Sequence, residues 1–207
     1  MLPEDKLATI TIKGNEVNVN GKKYETYKKI NEDTDFSNIY ITTDNKYVFK
    51  RITDFLEYDV FEREVYLLDY LNDVCNFTPK LIKYDKDTKI MMLNYCGISL
   101  YDWKQKYNSM PTSAKILDQM KNIEKTLKEH NIKHNDIKIY DEFLILNDKL
   151  YLCDFGWGSI GNDHSCKIGL WNGKKPYGYV NFNFNPPNFT WDNEIYPKFY
   201  DNMDNTV

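Results

Sequence analysis

Arginine is almost missing from this chain: Arg51 and Arg63 are the only two in 207 residues. Any handling of phosphate must therefore rest on lysine and backbone amides, since there is no cluster of guanidinium forks to grip it. Glycine is also scarce where it would matter, with none between Gly21 and Gly97. That gap excludes a glycine-cradled phosphate loop in the first half of the sequence. The cysteines Cys75, Cys96, Cys153 and Cys166 form no C-x-x-C pair. Their spacing argues against a zinc site or a disulfide framework and for a role as small buried hydrophobes. No apolar run approaches the roughly 18–20 residues of a membrane helix, and the N-terminus lacks the core of a signal peptide. The expectation is a cytoplasmic protein with no membrane partner. A net charge of −4 and a pI near 5.5 remove the basic face that general nucleic-acid binding needs, so no nucleic-acid partner is expected.

What is present suffices for a core. Leu, Ile, Val and Phe make up about a quarter of the chain, above the roughly 20% below which disorder is the default. The length suits one domain, or two small lobes sharing a cleft. Alternation predicts strands over Thr9–Lys13 and Val17–Asn20, with the turn pair Asn20-Gly21 leading into Lys23–Tyr27. Ile39–Thr43 and Tyr47–Ile52 form a second set around Asp44-Asn45. Over residues 54–72 the period changes, and Phe61, Val65, Leu68 and Leu71 fall on one helical face. Strands follow at Leu81–Tyr84 and Ile90–Leu93, then helices at Leu100–Tyr107 and from Pro111 towards Asn131, the second with Ile116, Met120, Ile123 and Leu127 as its stripe. Phe143–Leu146 and Leu150–Cys153 flank Asn147-Asp148 as a hairpin, and a terminal helix is a candidate over Trp191–Asn202. This order predicts an α+β fold of two parts, β-rich then helical.

The chemistry is concentrated in His134-Asn135-Asp136-Ile137-Lys138, then Asp141, then Asp154-Phe155-Gly156. Two carboxylates on loops at either end of one small hairpin suit one acid near a nucleophilic hydroxyl and one on a divalent metal. The stretch resembles the eukaryotic-type protein kinase family, Ser/Thr type, whose loops read H-R-D-x-K-x-x-N and D-F-G. The intervals agree, with five residues from Asp136 to Asp141 and thirteen from Asp141 to Asp154. Upstream, Tyr47-Val48-Phe49-Lys50 is similar to the strand bearing the phosphate-holding lysine. Phe61–Leu68 is similar to the helix whose glutamate pairs with it, with Glu64 taken before Glu62 for that role. Met91–Gly97 resembles the fifth strand and hinge.

The resemblance implies a two-lobe kinase-like fold, residues 1–94 as a small lobe and 95–207 as a reduced helical one. It implies ATP and Mg²⁺ as cofactors, Asp136 and Lys138 as catalytic residues, and Asp154 and Asp141 as metal ligands. Lys50, Glu64, Leu93 and Tyr95 are implied at the nucleotide. The acceptor is a hydroxyl on a protein or a small molecule. Several features depart from the pattern. The glycine-rich loop is replaced by residues 31–38, where Glu32, Asp33 and Asp35 each oppose a polyanion by about 1 kcal/mol at contact in water. Asp141 stands for the usual asparagine and Asn135 for the usual arginine, and His-Asn-Asp also occurs in small-molecule relatives such as choline kinases. About 50 residues follow Gly156, fewer than the family's helical part takes. These departures keep a second expectation open: a pseudokinase, a protein-binding or regulatory module without turnover.

Overall fold

The computed structural model describes residues 2–29, 37–53, 60–109, 111, 114–134, 137 and 142–161. Its first half is mostly strand: β1 (Ile10–Lys13), β2 (Glu16–Val19), β3 (Lys22–Lys29), β4 (Ser37–Thr42) and β5 (Tyr47–Ile52). Helix α1 (Val60–Val74) comes next, then β6 (Leu81–Asp85) and β7 (Ile90–Asn94). The second half contains β8 (Ile98–Ser99), α2 (Leu100–Tyr107), α3 (Ala114–Glu129) and β9 (Ile132–Lys133). It ends with the hairpin β10 (Phe143–Leu146) and β11 (Lys149–Leu152), a 3-10 turn over Phe155–Trp157, and β12 (Ser159–Ile160). The α+β class expected from the sequence holds. The expected helix over 191–202 lies outside the described residues, as do 54–59, the first part of the expected helix over 54–72. No described helix is long and apolar enough to cross a membrane.

Local chemistry explains the boundaries. Asn20 and Gly21 adopt φ of 49° and 89°, and Asn147 and Asp148 adopt 50° and 60°. Two positive-φ residues in a two-residue hairpin loop match the right-handed twist of the strands they join. Ser99 caps α2, its hydroxyl accepting from the Asp102 amide at 3.1 Å. At the end of α3, Asn131 takes φ 52° and donates its amide to the Lys128 carbonyl, which stops the helix.

The first seven strands form one sheet in the order β1-β2-β3-β4-β5-β7-β6. Its two edges meet. Leu7, just before β1, bridges Tyr84 of β6 in parallel, and the Ala8 amide donates to the Tyr84 carbonyl at 2.8 Å. All seven strands contribute to the cluster inside this ring, among them Ile10, Val17, Tyr24, Tyr40, Phe49 and Met92. Strand side chains alternate in direction, so Val48, Lys50 and Ile52 of β5 face the other way, towards α1. There Phe61, Val65, Leu68 and Leu71 of α1 are buried in a larger cluster. It continues without a break to Ile116, Met120, Phe143 and Leu152 in the second half. The chain passes between the halves at Gly97, whose φ is +97°. A side chain there would place Cβ 1.9 Å from the Ile145 carbonyl oxygen, so only glycine fits.

Asp85 locks the seam. Its carboxylate accepts from the Ile10 amide at 2.7 Å and from the Asp87 and Thr88 amides at 2.9 and 3.1 Å. The Thr88 hydroxyl returns a bond to the Ile10 carbonyl at 3.2 Å. Burial raises the pKa of this carboxyl, but the three amides outweigh burial and hold it below the usual value. A carboxylate with a depressed folded pKa stabilises the fold above its unfolded pKa and loses that contribution as pH falls through the folded one. Asp85→Ala is therefore expected to cost about 2–3 kcal/mol at neutral pH, by stranding the Ile10 amide. Urea unfolding at pH 7 and at pH 3 measures it, and the cost should shrink at the lower pH.

Candidate active site

Three elements meet around one ammonium group. Lys50 of β5 donates to both carboxylate oxygens of Glu64 on α1, at 2.9 and 2.8 Å. It also donates to Asp154 Oδ1 at 2.9 Å, across 104 residues of sequence. The Lys50 and Glu64 side chains are 8% and 1% exposed, whereas Asp154 is 45% exposed. With Glu64 ionised, two carboxylates against one ammonium leave an excess negative charge, with its half-exposed oxygen donor at Asp154.

Each partner is placed by a local rule. Lys50 pairs with Ile39 on β4 and Met91 on β7. A slip of one residue in that register would turn Lys50 into the closed interior and Phe49 towards the site. Glu64 lies among the apolar positions of α1 and follows them inwards, and it is Glu64, not Glu62, that reaches Lys50. Asp154 takes φ 64° and ψ 62°, a left-handed conformation that aspartate tolerates better than most residues. Gly156 lets the turn lie against α1, since a Cβ there would sit 2.4 Å from Val60 Cγ1.

Electrostatics follow from this burial. Burial alone would lower the Lys50 pKa, but the charges of Asp154 and Glu64 outweigh it and hold the ammonium well above its ordinary value. Burial pushes Glu64 up, Lys50 pulls it back, and the charge of Asp154 pushes it up again, to about 7. The thiol of Cys153 is raised well above its usual value by burial and by the charge of Asp154, and burial pushes Cys96 up to about 12. Both thiols stay protonated at neutral pH, which removes them as nucleophiles. Cys75, Cys96 and Cys153 are free of disulfides, and Cys166 lies outside the described residues.

Of the other expected site residues, Leu93 lies on the same face of β7 as Met91 and is buried in the main cluster, two positions beyond the partner of Lys50. Tyr95, two residues further on, donates its amide to the Lys46 carbonyl at 2.9 Å. Burial, with Tyr27 and Asp102 nearby, raises the Tyr95 phenol above its ordinary pKa. Asp136, Lys138 and Asp141 lie outside the described residues, as does the acidic stretch Glu32, Asp33 and Asp35. The flanks of the 135–141 stretch are described, and both meet Cys153. His134 Nε2 donates to the Cys153 carbonyl at 2.7 Å, and the Cys153 amide donates to the Glu142 carbonyl at 2.9 Å. Ile137 is buried in the main cluster, and the His134 ring meets Phe155 edge-on at 4.7 Å. The anchoring role of His134 and Cys153 has no signature in spacing; only the folded backbone shows it. Among the described residues, no group of three or more His, Cys, Asp or Glu side chains is arranged to hold a metal.

The chain is similar to serine/threonine-protein kinase 1 of Heliothis zea nuclear polyhedrosis virus, 31% identical over 85 residues. Those residues are 40% of this chain and 32% of that protein, so the match spans about a third of the relative's length. No protein-family model matches the chain. The likeness indicates a distant kinase-type relationship.

The raised Glu64 has a measurable consequence. Its folded pKa of about 7 exceeds the ordinary 4.5, so the folded state holds a proton that the unfolded chain has released. The contribution of this group is fully present below the unfolded value and is lost as pH rises through the folded one. Relative to a Glu64→Gln variant, wild type should lose stability between pH 5 and pH 8 in denaturant titrations. A difference that stays constant over that range refutes the shift.

Proposed function

We propose that this chain is an ATP- and Mg²⁺-dependent phosphotransferase, similar to the serine/threonine protein kinases, that moves the γ-phosphate to a hydroxyl group. The observation that carries the reading is the Lys50–Glu64–Asp154 cluster, drawn from a strand, a helix and the loop after a hairpin. Strand order supports it, with β3-β4-β5-β7-β6 in sequence and α1 between β5 and β6. The pinning of His134 and Glu142 to Cys153 supports it as well, because it ties the chain on both sides of Asp136, Lys138 and Asp141 to the residue before Asp154. The viral relative, itself named a serine/threonine-protein kinase, adds a likeness over part of the chain.

In this reading residues 1–94 form a small lobe, 95–207 form a reduced second lobe, and ATP lies between them. Leu93 and Tyr95 line the adenine side. Lys50, fixed by Glu64, holds phosphate oxygens with a single charged donor, a role that falls to lysine in a chain with two arginines. Asp154 fits a hard cation: it is a half-exposed oxygen donor in a cluster with excess negative charge, and Asp141 would add a second carboxylate. Bound Mg²⁺ would neutralise part of the charge on the terminal phosphates. Asp136 orients the acceptor hydroxyl and takes its proton, and Lys138 supports the phosphate as it moves.

One observation favours a pseudokinase that binds a partner without turnover. The stretch that would cover the phosphates has no glycine and carries Glu32, Asp33 and Asp35. The two readings separate on metal dependence. Phosphotransfer chemistry requires that ATP binding weaken strongly when EDTA replaces Mg²⁺, and that Asp154→Asn remove most of this dependence together with transfer. Asp136→Ala should lower transfer from labelled ATP by about 100-fold or more while changing ATP affinity little. Asp141→Asn should be mild, since it exchanges one oxygen ligand for another. ATP binding that ignores Mg²⁺, with no transfer, decides for the binding module.

A further inference from the structure

The segment before β1 takes no part in the chemistry, yet it is fastened to the helix that carries Glu64. Lys6 forms an ion pair with Asp69 of α1. The same segment is held on β6, where Lys83 donates to the Asp5 carbonyl at 2.7 Å and Leu7 and Ala8 pair with Tyr84. Tyr84 in turn lies against Phe61 of α1, with ring centroids 6.3 Å apart, and Leu2 packs on the cluster that α1 lines. Along the helix axis Asp69 is about 7.5 Å beyond Glu64, and Phe61 about 4.5 Å before it. The contacts therefore bracket Glu64. On its other flank α1 lies against the 3-10 turn, with Gly156 tight on Val60.

From this arrangement we infer that residues 2–10 are an intramolecular clamp that holds α1 at the depth where Glu64 meets Lys50, with Lys6 and Asp69 as positioning residues. Its functional half rests on the phosphotransferase reading; the mechanical half stands without it. The physical reason is distance. Glu64 holds Lys50 at 2.8 and 2.9 Å, and such bonds fail within about 1 Å of displacement. The pair of Lys6 and Asp69 is partly shielded, with side chains 21% and 33% exposed, and backbone pairing already fixes the segment that carries Lys6. Its loss should raise local opening of α1 about two- to fivefold, the range of a partly exposed ion pair.

The test uses the full chain as wild type, Lys6→Ala, Asp69→Ala and the reversed pair Lys6→Asp with Asp69→Lys. Amide hydrogen exchange is followed over residues 61–68 of α1, with the β10–β11 hairpin as an internal reference. Phosphate transfer is followed from labelled MgATP to casein or histone. Each single variant should exchange two- to fivefold faster in α1 with the hairpin unchanged, and kcat should fall by a similar factor with the KM for ATP nearly constant. The reversed pair should restore both. Unchanged α1 exchange in both single variants overturns the clamp, and so does an equal rise in the hairpin, which marks a general loss of stability. A wild type that neither binds MgATP nor transfers phosphate overturns the phosphotransferase reading, and the exchange pattern then decides the clamp by itself.

Discussion

The buried pair between Lys50 and Glu64 constrains the rest of this molecule. Removing Lys50 from such a site strands the Glu64 carboxylate in a medium that solvates it poorly, at a cost of about 3–5 kcal/mol. The register of β5, the face of α1 that turns inwards and the path of the turn after β11 are therefore not independent choices. The strand has to place the ammonium, and the helix and the turn have to bring carboxylate oxygens to within hydrogen-bonding distance of it. Asp154 differs from Glu64 in being half exposed, so this shared ammonium links a dry carboxylate to a wet one. That gradient is what a site needs if it is rigid at the back and open to ligands at the front.

The sheet serves two cores because its strands alternate. One set of side chains fills the closed interior, and the other meets α1 and, beyond it, the helical half. Packing on both faces fixes the position of β5 in the direction that matters for Lys50. The seam at Tyr84 and Asp85 completes that confinement and also places the N-terminal segment where it can reach α1.

Much of the fold is legible in the sequence wherever the determinants are local. The turn pairs Asn20-Gly21 and Asn147-Asp148, the stripe Phe61, Val65, Leu68 and Leu71, and the stop at Asn131 all follow from residues a few positions apart. The candidate site is legible as an order of motifs, because Lys50, Glu64 and Asp154 lie in stretches with recognisable neighbours. The seam between Leu7 and Tyr84 leaves no local trace, since parallel pairing of distant segments depends on the whole ring being formed. Strands of two residues, such as β8, β9 and β12, are too short to show a period. The choice of Glu64 over Glu62 is legible, because Glu64 shares a helical face with Phe61, Leu68 and Leu71. The left-handed turn at Asp154 leaves no such trace, because aspartate is common in ordinary turns as well.

The seam also sets an order of events as the chain is made. Strand β1 emerges before the edge that receives it, and the Asp85 carboxylate that ties down the Ile10 amide lies 75 residues later. At a synthesis rate of about 5–20 residues per second, the first hairpin waits on the order of 4–15 s with one edge unpaired. During that interval the β1–β2–β3 ribbon is a template for any other extended chain nearby. The short length of β1, its terminal Lys13 and the charged residues on either side, Asp5, Lys6 and Glu16, suit a nascent chain that must stay unattached until its own β6 arrives.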